Sequence, residues 1–408
     1  MISVRVRKGY DLNIKGKPSL ELEVLKKPSH VAALPEKIPF VKPRLLVKTG
    51  DRVSIGTALF EDKRNPDMKF LSPGGGQVSA INFGPRRVIR EVVIKLDENE
   101  SGEEFRAISE NEIEGMPREE LLRTLMNGGE NGELFRYGLL ILRQLCQNVH
   151  VGAAWGSPLL SADAFRPLIT HICKGEYPAT HPGVLCYHTK TSAEENRSWY
   201  VRGQDVLLLA HLLKTGTYPT ERIVAVGGSS AKQRRHVRTR IGVPLRDIAG
   251  NPSPNGDTRY VVGGTLTGYT GSKESYLGFY ETALTLLPEG LEKEAFGFVR
   301  PGFKKPSYSR TFLSAINPSD LTMNCNLHGD VRACVNCGTC ASVCPVDILP
   351  QFTMKCVLAD EVEESLEHGL LDCVECGLCS YVCPSKIELR DILRKAKAEY
   401  YKELEAGD

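Results

Sequence analysis

ACVNCGTCASVCPVD (333–347) and DCVECGLCSYVCPSK (372–386) are near-copies of each other, and together they carry eight of the thirteen cysteines in a 408-residue chain. Each obeys C-x2-C-x2-C-x3-C-P: Cys334, Cys337, Cys340 and Cys344-Pro345 in the first run, Cys373, Cys376, Cys379 and Cys383-Pro384 in the second. Three thiols at this spacing let one loop supply three corners of an iron–sulfur cubane. Gly338 and Gly377 lie between them and permit the backbone to approach the sulfides closely. A fourth corner does not come easily from the same loop.

Chains that hold two such clusters solve this by crossing, so that the Cys-Pro of one run ligates the other cluster. The spacing therefore predicts one [4Fe–4S] cluster on Cys334, Cys337, Cys340 and Cys383. A second falls on Cys373, Cys376, Cys379 and Cys344. The crossing draws the two together, as an electron relay requires. Zinc competes for any C-x-x-C, but structural zinc sites use paired doublets rather than triplets followed by Cys-Pro. Cys325 and Cys356 are left over and read as ordinary buried thiols, and His328 as a structural or hydrogen-bonding residue. Cluster potentials vary by hundreds of millivolts with their surroundings, so the spacing sets no direction of electron flow.

The remaining cysteines, Cys146, Cys173 and Cys186, are scattered, and no apolar stretch follows the charges of MISVRVRKGYDLNIKG. That distribution reads as metal binding in a reducing compartment rather than a disulfide framework. YGLLILRQLC (137–146) and DVLLLAHLLK (205–214) are the longest greasy stretches, well short of the ~20 apolar residues a spanning helix needs. A formal net charge of +2 gives no overall basic field, so nucleic acid is not an expected partner. The dense run AKQRRHVRTR (231–240) reads as a solvated face or a contact for acidic groups.

Four textures divide the chain. Residues 1–100 alternate short apolar strands with turns such as Thr49-Gly50-Asp51 and Pro73-Gly74-Gly75-Gly76. Residues 101–220 mix helical patterns (REELLRTLMNGG, LFRYGLLILRQLC, DVLLLAHLLKTG) with expected short strands at HVGAAW and GVLCYHT, an α/β layer. Residues 221–300, from ERIVAVGG to ETALTLLP, read as a small α+β unit. Residues 301–408 open with the proline-rich, basic VRPGFKKPSYSR, a linker or strap, and hold the cysteine runs and a terminal helix. Ser385 and Glu388 fit a capping box at the start of that helix. VGGSS (226–230) reads as a glycine turn rather than a phosphate cradle, because it lacks the full G-x-G-x-x-G pattern.

KGYDLNIKGKP, VKTGDRVSIGTALFEDKRNP, LSPGGGQVSAI, the segment 181–218, VVGGTLTG and VRPGFKKPSYSRTFLSAI resemble the A subunits (NqrA) of the sodium-translocating NADH:quinone reductases. The tail is similar to the C subunit of the Rnf ferredoxin:NAD oxidoreductases. The resemblance implies an α+β multidomain chain with four parts. They are a barrel-sandwich hybrid (1–100), a Rossmann-like α/β layer (101–220), a β-grasp unit (221–300) and a helical, ferredoxin-like two-[4Fe–4S] domain (301–408). It also implies a subunit docked peripherally on the cytoplasmic, inner face of the cell membrane, beside integral-membrane and flavoprotein subunits of a sodium- or proton-coupled redox pump. Quinone is possible on this chain by family analogy.

Two departures matter. Familiar NqrA chains lack most of these cysteines. The glycine-rich GGAGFPT loop that binds FMN and NAD in Rnf and complex I relatives is also not found, NGGENGELF (127–135) being the nearest stretch. FMN and NAD are thus not expected here. Lys63 and Lys69 lie near the tip that lipoyl and biotinyl carriers modify, but the resemblance favours an unmodified module. An Rnf-type subunit coupling ferredoxin to NAD, and a soluble two-cluster adaptor, stand as the alternatives.

Overall fold

Alternating apolar residues between Val31 and Ile94 build two facing sheets. One holds the strands His30–Ala33, Ile89–Leu96, Gly76–Phe83 and Arg52–Val53 side by side, and the other Pro43–Leu45, Ala58–Asp62 and Asn65–Leu71. Val31, Leu59, Phe60, Val78, Val92 and Ile94 point inward and are buried together, with Phe60 stacked on Phe70 at 4.7 Å. This is the expected barrel-sandwich hybrid; burial alternates at the start of Gly76–Phe83, whereas Leu59 and Phe60 are buried in succession where the pairing of Ala58–Asp62 shifts register. The computed structural model describes residues 1–109, 132–192, 198–250, 257–290, 301–308, 312–317, 319–326 and 329–407. His328, the pattern REELLRTLMNGG and the first part of NGGENGELF lie outside the described residues.

The α/β layer is a parallel sheet in which His171–Lys174 runs between Gly152–Ala154 and Ile2–Arg5. Helices Gly132–Leu145 and Gly203–Thr215 pack together over Tyr137, Ile141, Ala210, Leu212 and Leu213. Gly216, at φ 68°, ends the second of these in the left-handed conformation. GVLCYHT, expected as a strand, is instead part of the helix Pro182–Thr189. Pro182 occupies the first turn, where its missing N–H is harmless, and His181 Nδ1 accepts the Gly183 N–H at 3.1 Å. That local start signal outweighs the short apolar run.

A six-stranded sheet follows. Its order is Tyr269–Gly271, Thr258–Val262, Ala283–Pro288, Glu221–Gly227, Arg235–Arg240 and Leu22–Val24. The parallel pair Glu221–Gly227 and Ala283–Pro288 sits centrally between antiparallel neighbours, with helix Leu245–Ala249 packed into the core beneath. This is the β-grasp arrangement. The cysteine domain is made of short helices, Thr339–Ser342, Pro350–Leu358, Val362–Glu367 and Leu378–Tyr381, closed by Leu389–Gly407.

The first twenty-five residues do not join the barrel, whose strands run from His30 to Leu96. Ile2–Arg5 is an edge of the parallel sheet, Leu22–Val24 an edge of the β-grasp sheet, and Tyr10 and Leu12 between them pack beside Cys376 and Leu378. The chain crosses the β-grasp unit at Gly16, where a Cβ would strike the Gly228 backbone, and a Cβ on Gly228 would in turn strike the backbone of Leu286. The amides of the VGGSS turn are engaged there: Gly228 N–H on the Gly16 carbonyl and Ser230 N–H on the Leu286 carbonyl.

The basic run 231–240 is turned to internal pairing. Arg235 meets Glu23, and the Arg240 guanidinium reaches Glu100 at 2.9 Å and the Pro73 carbonyl at 2.8 Å. Lys27 also pairs with Glu100, which ties the barrel to the β-grasp unit. The expected capping box is replaced as well. The terminal helix begins at Leu389, Ser385 donates to the Ala333 carbonyl, and Ser380 Oγ accepts the Arg390 N–H at 2.9 Å. Among the described residues no helix is long and apolar enough to cross a membrane.

Candidate metal centre

The two cysteine runs share one backbone plan, repeated 39 residues apart. Asn336 and Glu375 are held at φ 54° and 55°, Asp347 and Lys386 at 53° and 57°. Non-glycine residues seldom adopt such values, and here they recur at matched places. Gly338 and Gly377, at φ 72° and 82°, lead into the matched single-turn helices Thr339–Ser342 and Leu378–Tyr381. The glycines foreseen for close approach thus sit in conformations that need them.

Eight thiols line two cavities. Cys344, Cys373, Cys376 and Cys379 surround one, with Val346, Ile348, Arg390 and Leu393 in its wall. Cys334, Cys337, Cys340 and Cys383 surround another, with Gln351, Ser385 and Leu389. Each cavity thus takes three thiols from one run and the Cys-Pro thiol of the other. Among the described residues, no three or more His, Cys, Asp or Glu side chains are grouped so as to hold one metal ion. The full set of four Cys donors in each cavity matches the ligand count of a [4Fe–4S] cluster.

Surroundings differ sharply between the cavities. Cys344 and Cys373 are buried in a core that includes Val4, Val6, Val184, Leu185 and Leu393, and Cys376 in an adjoining one with Val343, Leu378 and Val382. Tyr177 Oη donates to the Cys376 carbonyl at 2.8 Å, His188 Nε2 lies 2.9 Å from the Pro345 carbonyl, and Lys190 pairs with Asp372 at 2.5 Å. Helix Pro182–Thr189 and the strand Ile2–Arg5 therefore form the roof of this site. From below, Lys397 Nζ donates to the Cys373 carbonyl at 2.8 Å. The other site opens outward. Cys337 is exposed, and Val335 beside it is 68 % accessible. Thr339 Oγ1 donates to Cys337 Sγ at 3.2 Å, and buried Gln351 faces Cys340 at 3.0 Å.

Burial raises the Cys344, Cys373 and Cys376 thiols to about 11 and pushes Cys379 and Cys340 up as well. The Thr339 hydroxyl, with its N–H, lowers Cys337. The thiolate is the ligand, so loading the buried site releases protons that the site holds tightly when empty.

Cys325 and Cys356 line neither cavity, and burial raises the Cys325 thiol. Lys63 sits at the turn joining Ala58–Asp62 to Asn65–Leu71, and Lys69 lies within the second strand. Gln351, Arg390, Tyr177 and His188 escaped sequence reasoning. The first two had a signal, since extending the repeat past Cys-Pro aligns them with each other. Tyr177 and His188 had none, because their partners are remote in sequence.

A family model described as the NqrA N-terminal barrel-sandwich hybrid domain matches residues 4–97, the NqrA second alpha/beta domain matches 104–218, and a 4Fe-4S dicluster domain matches 333–387. Among similar proteins, the A subunit of the Na(+)-translocating NADH-quinone reductase from Yersinia pestis bv. Antiqua (strain Angola) is 31% identical over 417 residues, covering 90% of this chain and 92% of its own. The corresponding proteins, of the same name, from Neisseria meningitidis serogroup B (strain ATCC BAA-335 / MC58) and Histophilus somni (strain 2336) are 30% and 29% identical, with the same coverage.

Proposed function

Because the chain belongs to the family of the A subunits of Na+-translocating NADH-quinone reductases, we propose that it is an electron-transfer subunit of a membrane-bound, ion-translocating NADH:quinone oxidoreductase. In this reading Cys334, Cys337, Cys340 and Cys383 hold one [4Fe–4S] cluster, and Cys373, Cys376, Cys379 and Cys344 the other. The pair of four-thiol cavities, each drawing on both runs, carries the proposal. When bound, such clusters supply one-electron transfer at potentials tuned by charge, hydrogen bonds and exposure.

The chain's own residues do the rest. The left-handed positions at Asn336, Glu375, Gly338 and Gly377 shape two matched loops. Tyr177, Leu185 and Leu393 keep water from the buried thiols. The exposed edge at Val335 and Cys337 leaves the other site open to a redox partner. The subunit docks peripherally, on the cytoplasmic side, against integral-membrane and flavoprotein partners.

Anaerobic purification from native membranes tests this. The expected result is about eight irons per chain, two interacting paramagnets on reduction, and co-purification with integral-membrane subunits. Zinc, or about four irons, would overturn the two-cluster assignment. A protein found wholly in the soluble fraction would favour the adaptor instead.

A further inference from the structure

The two sites share a backbone plan, so residues at matched positions serve as controls for each other. Gln351 and Arg390 are such a pair. Each is the second residue of the helix following its own run, and each lines a cavity. Gln351 is neutral, and its amide faces Cys340 at 3.0 Å. Arg390 brings a permanent charge. Its Nε donates to the Glu375 carbonyl at 2.8 Å and its Nη2 to the Thr267 carbonyl at 3.0 Å, and these bonds fix the guanidinium in place. Glu375 and Arg390 are the charged residues in the wall of the buried cavity, with Lys397 close behind on the Cys373 carbonyl. Among the described residues, none in the wall of the exposed cavity is charged.

We infer that Arg390 sets the reduction potential of the buried site apart from that of the exposed one, by offsetting the effect of burial. The inference rests on the two-cluster reading. Reduction adds negative charge to a group already negative through its thiolates. A buried setting of low dielectric opposes that charge and lowers the potential. A guanidinium fixed at the cavity wall, half-buried and held by two carbonyls, acts the other way. Water supplies that stabilisation at the exposed site, where the matched residue is a neutral amide. Arg390 therefore acts through its charge and ligates nothing.

The test is a redox titration of the full-length, anaerobically prepared chain, followed by electron paramagnetic resonance. A Cys334→Ser variant identifies which signal belongs to the exposed site. Arg390→Gln, which copies the exposed site, should lower the midpoint of the buried site and leave the other unmoved. Arg390→Lys should restore much of it. Gln351→Arg should raise the midpoint of the exposed site. Two intact clusters with unmoved midpoints in Arg390→Gln, or midpoints that move together, overturn the inference alone. An Arg390→Lys variant no better than Arg390→Gln assigns Arg390 a structural role and overturns it too. If Arg390→Gln fails to retain its cluster, Gln351→Arg decides, and an unchanged exposed midpoint counts against the inference. A wild-type chain holding iron for fewer than two cubanes overturns the underlying reading.

Discussion

The cysteine runs 333–347 and 372–386 have the same spacing and the same backbone turns, yet one site lies in the core of the molecule and the other at its surface. Local sequence does not make that difference. The buried site is covered by the strand Ile2–Arg5 and the helix Pro182–Thr189, whereas Cys337 and Val335 have nothing over them among the described residues. Loops of one spacing and one backbone plan therefore acquire distinct environments from their own differing side chains and from what packs upon them. A relay benefits from that, since one end must be reachable by a partner and the other can be shielded from water.

The largest effects should come from crossing the pair. Cys383→Ser is expected to remove the cluster at the exposed site while leaving the run 372–386 its own three thiols. Cys344→Ser should remove the buried one. Iron analysis should show about half the iron lost in each case, and spectroscopy should show that the surviving signals differ. Loss of the same signal in both variants would break the comparison.

Packing comes next. Leu393 is 1 % accessible in the roofed core, so Leu393→Ala should cost about 2–5 kcal/mol in chemical denaturation. Val335→Ala, at the open site, should stay within about 0.5 kcal/mol. Equal costs would mean that the open site is covered in solution.

Acid should loosen the roof before the open site. Burial, with Arg202 and Lys397 nearby, lowers His181 to about 4, against about 6.5 in an unfolded chain. Between these values the unfolded state binds the extra proton. Stability contributed by neutral His181 is complete above about pH 6.5 and declines as pH falls toward 4, by at most about 1.4 kcal/mol per unit. His181→Asn keeps a cap for Gly183 without the titration, and should flatten that limb of the stability profile. The smallest effect in the roof is expected for Tyr177→Phe, which removes the bond to the Cys376 carbonyl. It should cost about 1 kcal/mol, read as a lower denaturation midpoint.

Much of the molecule was legible from residue patterns. The barrel strands announce themselves as short apolar runs between turn residues, and the helices Gly132–Leu145 and Gly203–Thr215 by their apolar periodicity. The grouping of thiols that the spacing implies is also the grouping that the two cavities bring together. What failed did so for local reasons. GVLCYHT is too short and apolar for periodicity to separate strand from helix, and the cap at His181 decided it. Ser385 fitted a capping pattern, but the second run sits so close to the first that its hydroxyl bonds Ala333 instead. The opening segment resembled barrel sequence in texture, although its strands complete two other sheets.

By itself the sequence named the eight thiols that line the two cavities, the crossed grouping in which they line them, and the two glycines whose left-handed turns the loops require. Ligand spacing and left-handed turns are short-range constraints, and such constraints can be read along a chain. Only the tertiary structure decided which of the two sites is roofed, that Arg390 and Gln351 each enter the wall of a cavity, and that Tyr177 reaches a carbonyl 199 residues away. Burial and charge environment belong to whatever packs against a loop, and no local pattern encodes its neighbours.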